Sequence, residues 1–430
     1  MNWIRTVSAI FVCVLIAATL SAQSTASSGQ HWVAVWTTAQ EMAVSVQERP
    51  VLPPDVKMPD FSKMKMPPGL QIPEQLENQT VRMIVHTSLG GTRLRVELTN
   101  GFGKGVVSIG AAHIAVRAKD SSIESGTDRV LTFSNSPKVE IRPGAVILSD
   151  PVELTFSPMA DLAVSLYVVK SEGKPTNHVP GLHTVYISSG NTAASPSVPD
   201  ATTTSTAYLW LRGVDVEAPA ADFAIACMGD SITDGYGTTV DANQTWPALL
   251  AKRLSEAKTG PHISVLNQGI SGNQLLRNGA GVSALARFDR DVLGEPGVRW
   301  VVLLEGINDI NIHGQITGPD ALTANDLIEG YKQIIARSHL HNIKIMGGTL
   351  TPDLGVWPGG PIGEATREIV NQWIRTSGQF DAIVDFDAAL RDSVEPKKLR
   401  AEFDSNDHIH PSDRGHAAMA ETFDLSVFLK

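Results

Sequence analysis

The chain has 430 residues, of which 42% are hydrophobic and 19% charged, and its formal net charge is -10. This composition is that of an ordinary globular protein, and the negative charge argues against nucleic acid or an anionic membrane as a partner. The length exceeds that of a usual single domain, so we expect two domains.

The N-terminus has the pattern of a secretory signal peptide. One positive charge, Arg5, precedes an apolar core at 7–20 and the small residues Ala22 and Ala26, after either of which cleavage is expected. An uncleaved anchor is the alternative, but the apolar core is shorter than the ~20 residues that a membrane helix needs. We therefore expect residues 1–26 to be removed and the mature protein to be secreted or periplasmic, with no membrane span.

The cysteine content indicates a protein that is stabilised by its hydrophobic core and not by disulfides. Cys13 lies in the signal segment, which leaves Cys227 alone in the mature chain. No internal disulfide is then possible. We interpret Cys227 as a small buried residue in a strand, with a catalytic thiol as the remote alternative.

Residues 30–216 predict an all-β accessory domain, a sandwich or a jelly-roll-like fold. A stretch rich in proline and methionine at 42–77 predicts an extended loop, because proline interrupts helices and central strands. Short alternating segments then follow, separated by turn residues such as Gly90-Gly91. The predicted strands are 31–37, 81–87, 92–98, 108–116, 130–133, 139–141, 152–156, 161–169 and 208–214. The isolated histidines of this region lack metal-ligand spacing and are interpreted as surface or core residues: His86, His113, His178 and His183.

After a join at 217–221, residues 222–430 predict strands that alternate with helices. The predicted strands are 223–228, 263–267, 299–304, 343–349 and 382–386, and the predicted helices lie near 245–257, 281–292, 321–340, 364–376 and 412–428. Such interleaving is typical of a parallel sheet between two layers of helices, a three-layer α/β/α fold.

Four polar or glycine-rich stretches are placed by this pattern on one rim of the predicted sheet. They are Gly229 to Gly235 after the first strand, Asn267 to Asn273 after the second, Gly306 to Asp309 after the third, and Asp407 to Pro411 before the last helix. Each alone is an ordinary turn or polar loop. Together, at the carboxyl ends of parallel strands where open α/β folds bind ligands, they match the requirements of acyl transfer.

Ser231 is the candidate nucleophile of this group, and its hydroxyl needs a base to remove its proton. His410 is the candidate base. Pro411 suits the first position of a helix, which would put His410 near the N-cap, where the positive end of the helix dipole disfavours the imidazolium. Asp407 can bind the other ring nitrogen and fix the tautomer.

The spacing leaves two alternatives open in the same loop. Asp404 and His408 form a competing acid–histidine pair. His408 and His410 could instead hold a metal ion, although no third ligand is evident. For the oxyanion of a tetrahedral intermediate, three donors are available: the backbone amides of Ser231 and Gly272 and the side-chain amide of Asn308.

These stretches resemble the ordered blocks of the SGNH/GDSL hydrolase family. The matching positions are Gly229-Asp230-Ser231, then Gly272, then Gly306-Ile307-Asn308-Asp309, and last Asp407 with His410. The resemblance spans about residues 222–430. It implies a flavodoxin-like three-layer fold, Ser231 as nucleophile, Gly272 and Asn308 as oxyanion donors, and Asp407 with His410 as orienter and base, with no cofactor and no metal. One departure is Ile232, where many members have Leu. No Gly-x-Ser-x-Gly motif of classical α/β-hydrolases is present.

The family implies hydrolysis of carboxylic esters. Secretion favours an external substrate, and the absence of a long apolar lid argues mildly against long-chain lipid. We predict short acyl groups, foremost acetyl groups on a polysaccharide or glycoside, and Trp357 could stack on a sugar ring or belong to the core. The alternatives are a lysophospholipase, arylesterase or thioesterase of the same family, or a secreted glycan-binding protein without catalysis.

Overall fold

The computed structural model describes residues 29–41, 72–198, 203–257, 259–313, 321–356 and 360–429. The expectations for the signal peptide, for most of the 42–77 loop and for Trp357 concern residues outside these ranges. Among the helices that are described, none combines the length and the apolar character that a membrane crossing requires.

The N-terminal part of the described chain is rich in β-strands, as predicted, and the strands are antiparallel. They are β1 (Gln30–Thr37), β2 (Glu77–His86), β3 (Gly91–Thr99), β4 (Val107–Lys119), β5 (Ser122–Ile123), β6 (Arg129–Val130), β7 (Val139–Ile141), β8 (Val146–Leu148), β9 (Val152–Phe156), β10 (Asp161–Ser171), β11 (Asn177–His178), β12 (Val185–Ser189), β13 (Thr203–Ser205), β14 (Tyr208–Leu209) and β15 (Leu211–Pro219). One sheet has the order β1-β15-β3-β8, with β9 also on β3. Another has the order β13-β12-β2-β10-β4-β5, with β6 and β7 also on β4, and β11 pairs with β14.

The two larger sheets share one hydrophobic core, as in a β-sandwich. In β3, charged residues alternate with Leu94, Val96 and Leu98, so one face of the strand is apolar. These side chains belong to the same buried cluster as Val81 and Met83 of β2, which lies in the other sheet. The period-two pattern of the sequence therefore decides which face each strand buries.

The C-terminal part of the described chain contains a five-stranded parallel sheet, so the parallel sheet predicted from the sequence is confirmed. Its strands are β16 (Phe223–Gly229), β17 (Ile263–Gly269), β18 (Val298–Leu304), β19 (Lys344–Gly348) and β20 (Ala382–Val384), and the helices are α1 (Ser231–Asp234), α2 (Trp246–Ser255), α3 (Ala284–Phe288), α4 (Ile307–His313), α5 (Ala324–Leu340), α6 (Pro361–Thr376), α7 (Phe386–Leu390) and α8 (Asp413–Glu421). The strand order β17-β16-β18-β19-β20 is the 2-1-3-4-5 order of flavodoxin-like sheets. The chain turns to opposite sides of β16, which creates the crevice where such sheets bind ligands.

The helices pack on this sheet in two groups. Helix α8 contacts α2 and α7, whereas α5 and α6 contact each other and are joined by α3 and α4. Trp246 of α2 and Tyr331 of α5 are both buried in the same large cluster as the strands. Cys227, in the middle of β16, is a free and fully buried thiol, as predicted.

The predicted helix at 412–428 is wrong in length. Helix α8 ends at Glu421, and a separate 3-10 turn covers Leu425–Val427. The side chain of Asp424 accepts a hydrogen bond from the Ser426 amide and so begins the new turn. A short polar side chain of this kind offers the backbone an alternative to continuing the helix.

The predicted join at 217–221 is also misplaced. Strand β15 continues through Glu217 to Pro219, where Glu217 pairs with Trp32 and Pro219 with Gln30 of β1. Proline is tolerated here because it lies at the last position of the strand. The connection to the parallel sheet is thus only the short segment 220–222.

The β-rich part packs against β17, an edge strand of the parallel sheet. The Ser88 hydroxyl accepts a hydrogen bond from the Val265 amide at 3.0 Å and lies 2.8 Å from the Ser264 hydroxyl. Gln268 donates its side-chain amide to the Thr37 hydroxyl at 2.7 Å. An edge strand carries unpaired backbone groups that need partners when they are buried. Ser88 supplies one such partner, for the Val265 amide.

A buried arginine joins the two parts a second time. Arg212 of β15 is 8% exposed and forms ion pairs with Glu97 of β3 and, at 2.7 Å, with Glu295. It also donates to the Arg290 carbonyl at 2.6 Å. Glu295 is buried too, and burial raises its pKa to about 8 although the Arg212 guanidinium acts in the opposite direction, so its ionised form depends on this contact.

We predict that Arg212→Met lowers the free energy of unfolding by about 3–5 kcal/mol, because it leaves a buried carboxylate without its cation. The measurement is the midpoint of urea unfolding followed by tryptophan fluorescence. Arg299→Met is the control, since Arg299 is exposed and, among the described residues, donates to the Ala220 and Ala221 carbonyls and lies over the Phe223 ring, and it should cost about 0.5 kcal/mol. Equal midpoints for the two variants would contradict the prediction.

Candidate active site

Ser231 lies where the central strand of the parallel sheet ends. Strand β16 stops at Gly229, and Ser231 is the first residue of α1, with Asp230 as its N-cap. The Asp230 carboxylate accepts a hydrogen bond from the Ile232 amide at 2.9 Å, which fixes the start of the helix. The serine is therefore held at the carboxyl end of the sheet, and it retains 6% exposure.

The serine turn is held against the neighbouring strand β17. Asn267 donates from its side-chain amide to the Thr233 and Asp234 carbonyls, at 2.9 and 3.1 Å. Gly269, at the end of β17, has no room for a side chain, since a β-carbon there would lie 2.2 Å from the Asp234 amide nitrogen. The contact is between backbone atoms, which cannot move aside as a flexible side chain could. The serine turn therefore packs directly against β17.

His410 joins Ser231 to Asp407. Its Nε2 lies 2.8 Å from the Ser231 hydroxyl oxygen and its Nδ1 lies 2.6 Å from Asp407 Oδ2. A carboxylate only accepts hydrogen bonds, so Nδ1 carries the proton of the neutral ring and Nε2 is left to accept from the hydroxyl. The structure brings together the three residues that the sequence nominated, across 179 positions of the chain.

Asp407 stays ionised because its environment supplies donors. Burial by itself would raise its pKa, but hydrogen bonds from the His410 ring and amide and from the Ile409 amide outweigh burial and lower the pKa to about 2. An ionised Asp407 keeps the tautomer and orientation of the imidazole constant over any ordinary working pH.

The expectation that Pro411 is the first residue of the last helix is wrong. Helix α8 begins at Asp413 with Ser412 as N-cap, and Pro411 forms an isolated bridge with Asp404 before the helix starts. His410 therefore lies two residues before the N-cap and is not part of the helix. Its contact with Asp407 orients the ring.

The competing pair also forms, but away from the serine. His408 Nδ1 lies 2.8 Å from Asp404 Oδ2, and the His408 side chain is 60% exposed. The Asp404 carboxylate accepts further hydrogen bonds from the Asn406 and His408 amides, so it shapes the loop. Both nitrogens of His410 already have partners in Ser231 and Asp407, which leaves no lone pair for a metal shared with His408.

Two of the groups proposed to bind the oxyanion follow β17 and β18: the Gly272 amide lies in the loop after β17, and the Asn308 side chain lies in the first turn of α4 after β18. Asn308 is half-buried, and one hydrogen of its side-chain amide is donated to the Asn273 carbonyl at 2.8 Å. The amide has a second hydrogen. Gly272 has a φ of +79°, in the left-handed region that favours glycine, so the conformation of the loop itself requires this residue.

Three further residues hold these loops, and the sequence had assigned them no role. The fully buried Asn273 donates to the Ala280 and Val282 carbonyls and accepts from Arg287. Asp309 accepts from the Leu275 and Leu276 amides, which ties α4 to the loop after β17. Asn273 and Asp309 lie inside the motif blocks, and that position could have indicated a role for them from the sequence. Nothing in the sequence around Arg287 indicated its role.

Behind the serine lies a cluster of buried carboxyl groups. Glu305 has both side-chain oxygens, and Asp230 has Oδ2, without a hydrogen-bond partner among the described residues, while Arg287 is 3.7 Å from Glu305. Burial raises the pKa of Asp230 to about 7 and that of Glu305 well above its ordinary value. Both shifts favour the protonated forms, which limits the negative charge behind Ser231.

An aromatic ring packs on the imidazole. The centroid of Tyr236 lies 4.4 Å from that of His410, with the planes tilted by 44°. Tyr236 follows Gly235, the C-cap of α1, so the segment that carries Ser231 also limits the rotation of the His410 ring.

One cluster within the described ranges has the residue types of a metal site. Glu41, His178 and Asp234 offer ligand atoms within 4.8 Å of one another. Yet His178 Nδ1 lies 2.7 Å from the Ala39 carbonyl and Nε2 lies 3.0 Å from Asp234 Oδ1. A carbonyl and a carboxylate both accept, so both ring nitrogens act as donors and neither offers a lone pair to a metal.

Comparison with known proteins addresses the part of the chain that carries this site. Residues 227–418 match the model of the GDSL-like Lipase/Acylhydrolase family. None of the curated proteins compared with the chain is significantly similar to it. Solved structures similar to it include a GDSL-like lipase from Bacteroides thetaiotaomicron, with 17% identity, 48% of this chain and 87% of that chain covered, and a TM-score of 0.35.

Two further solved structures are similar over the same share of the chain. The aryl esterase of M. smegmatis has 15% identity, with 48% of this chain and 100% of that chain covered and a TM-score of 0.38. A catalytic mutant of an acetylxylan esterase from Geobacillus stearothermophilus has 20% identity, with 48% and 95% covered and a TM-score of 0.37. By the family match and by the motif blocks within it, residues 227–418 of this chain are a GDSL-like lipase/acylhydrolase domain.

Proposed function

We propose that this protein is a secreted serine esterase that hydrolyses short acyl esters, foremost acetyl esters of carbohydrate. The observation that carries the proposal is the contact of His410 Nε2 with the Ser231 hydroxyl at 2.8 Å, with Asp407 on the other nitrogen. These distances are those that a base needs to take the proton of a nucleophile.

In the proposed reaction, Ser231 Oγ attacks the ester carbonyl carbon while His410 Nε2 takes the hydroxyl proton. The tetrahedral intermediate collapses, the bond to the alcohol oxygen breaks, and His410 returns the proton to the departing alcohol. A water molecule then attacks the acyl-enzyme and gives a proton to His410, after which the acid leaves and Ser231 recovers its proton. Asp407 stabilises the imidazolium that forms in both halves.

The oxyanion of each intermediate would be bound by the Ser231 and Gly272 amides and by the Asn308 side chain. Asn308 suits this role because its contact with the Asn273 carbonyl fixes the plane of its amide group. A donor that is already oriented loses little entropy when the charge develops, and one such donor contributes about 3 kcal/mol in the transition state.

The preference for a short acyl group is supported by the limited access to the nucleophile. Ser231 is 6% exposed, and Tyr236 packs on the ring of the base beside it. A small acyl group needs little space at the reacting carbon. A carbohydrate as the alcohol follows from the expected secretion and stays a prediction.

We predict that the wild-type protein cleaves p-nitrophenyl acetate at least about 10-fold faster, in kcat/KM, than p-nitrophenyl octanoate. Ser231→Ala should lower kcat by at least about 10⁴-fold, because the nucleophile is lost. Binding of the variant to acetylated polysaccharide should persist. A wild type that prefers octanoate would refute the short-acyl proposal, and binding without any wild-type turnover would favour a glycan-binding protein.

We predict that Asn308→Ala lowers kcat by about 10²–10³-fold with little change in KM, because the lost hydrogen bond matters most in the transition state. Asn308→Asp should lower kcat further, since its charge repels the oxyanion. Both variants are compared with the wild type in steady-state kinetics and in thermal unfolding. A KM effect with unchanged kcat would assign Asn308 to substrate binding instead.

A further inference from the structure

A histidine of the β-rich part reaches the serine turn. His178 of β11 has a side chain that is 5% exposed and lies between the Ala39 carbonyl and the carboxylate of Asp234. Because both partners are acceptors, the ring must donate from both nitrogens, and only an imidazolium can do so. The Tyr208 ring lies alongside, with its centroid 6.5 Å from that of His178 and the planes 26° apart.

Asp234, the carboxylate that His178 contacts, lies in the same helix as Ser231. Asp234 is the last residue of α1, three residues after Ser231, and it is 4% exposed. Its Oδ1 accepts from His178, whereas its Oδ2 accepts from the Ser271 hydroxyl at 2.7 Å. Ser271 directly precedes Gly272. One carboxylate therefore connects the β-rich part, the serine turn and the loop that carries Gly272.

We propose that His178 is a positioning residue for the reaction: through Asp234 and Ser271 it holds the Gly272 amide in place relative to Ser231. The inference rests on the proposed esterase function, because it assigns a role to Gly272. It also means that the β-rich part completes the active site of the GDSL-like domain rather than serving only as an appendage.

The charge of His178 is set by the groups that face it. Burial by itself would lower its pKa, but Asp234 and Glu41, with the Ala39 carbonyl, raise the pKa to about 9. The Glu41 carboxyl lies 3.7 Å from Nδ1, and its own pKa is raised by burial to about 7. Tyr208 is neutral at these pH values, since burial raises its pKa well above the ordinary value.

The direction of the pH effect follows from this shift. The pKa of His178 in the folded protein lies above the ordinary 6.5, so the stabilisation is complete below pH 6.5 and is lost as the pH rises through 9. A neutral ring donates from one nitrogen only. Either the Ala39 contact or the Asp234 contact is then lost, and the Ser271 loop is no longer held from this side.

The test uses the full chain with His178→Gln, which is uncharged and keeps a single donor group, and with Ser271→Ala, which removes only the last hydrogen bond. Ser88→Ala is the matched control, because it breaks contacts between the β-rich part and β17 without touching Asp234. We measure kcat and KM for p-nitrophenyl acetate from pH 6 to 10, with Ser231→Ala as the blank. Hydrogen exchange of the segment 269–276 is measured at pH 7.

We expect kcat to fall about 10- to 100-fold in His178→Gln and about 10-fold in Ser271→Ala, with KM within about threefold, because small displacements of a reacting group are costly. In the wild type, kcat should decline as the pH passes about 9, and this decline should be absent from His178→Gln. Exchange of 269–276 should be faster in both variants and unchanged in Ser88→Ala.

A wild-type kcat in His178→Gln, or the same alkaline decline in that variant, would overturn the inference. So would wild-type exchange in Ser271→Ala. A wild type that neither cleaves esters nor reacts at Ser231 with a fluorophosphonate would instead refute the proposed function. The exchange measurement would still decide whether His178 holds the loop.

Discussion

The geometry of the site depends on the contact between the serine turn and the end of β17. Helix α1 lies so close to that strand that a β-carbon at Gly269 would meet the backbone of Asp234, and Asn267 fixes the carbonyls of the same turn. Interiors packed to this density respond to a shift of one element by shifting its neighbours. The hydroxyl of Ser231 and the carboxylate of Asp234 therefore occupy positions set by β16 and β17. The distance to His410 follows from those positions.

The carboxyl groups around Ser231 differ in charge because they differ in partners. Asp407 receives donors from the His410 ring and from two amides, and its pKa falls to about 2. Asp230 and Glu305 are buried with too few donors, and burial raises the pKa of each. The difference in pKa keeps Asp407, on the far side of the imidazole from Ser231, fully charged. It also reduces the negative charge of Asp230 and Glu305 behind the nucleophile. A base that must become positive benefits from that arrangement.

The β-rich part and the part with the parallel sheet are joined by buried polar contacts. Ser88 and Thr37 satisfy groups on β17, Arg212 pairs with Glu295, and His178 reaches Asp234. These are polar, directional contacts in a buried setting, where an unpaired group is costly. They fix the relative position of the parts more closely than apolar contact alone would. A change in the β-rich part can thus alter a residue three positions from Ser231.

The amino-acid sequence by itself determined the element types and the motif blocks. Period-two and helical patterns predicted the strands of the β-rich part and the parallel sheet, and the motif blocks indicated Ser231, Gly272, Asn308, Asp407 and His410, because local periodicity and turn chemistry are properties of short segments. Only the tertiary structure decided that His410 rather than His408 contacts the serine, that α8 begins at Asp413 rather than at Pro411, and that His178 reaches the serine turn. Each of these depends on side chains that are distant in the chain and meet only after packing, so no short-range pattern records them.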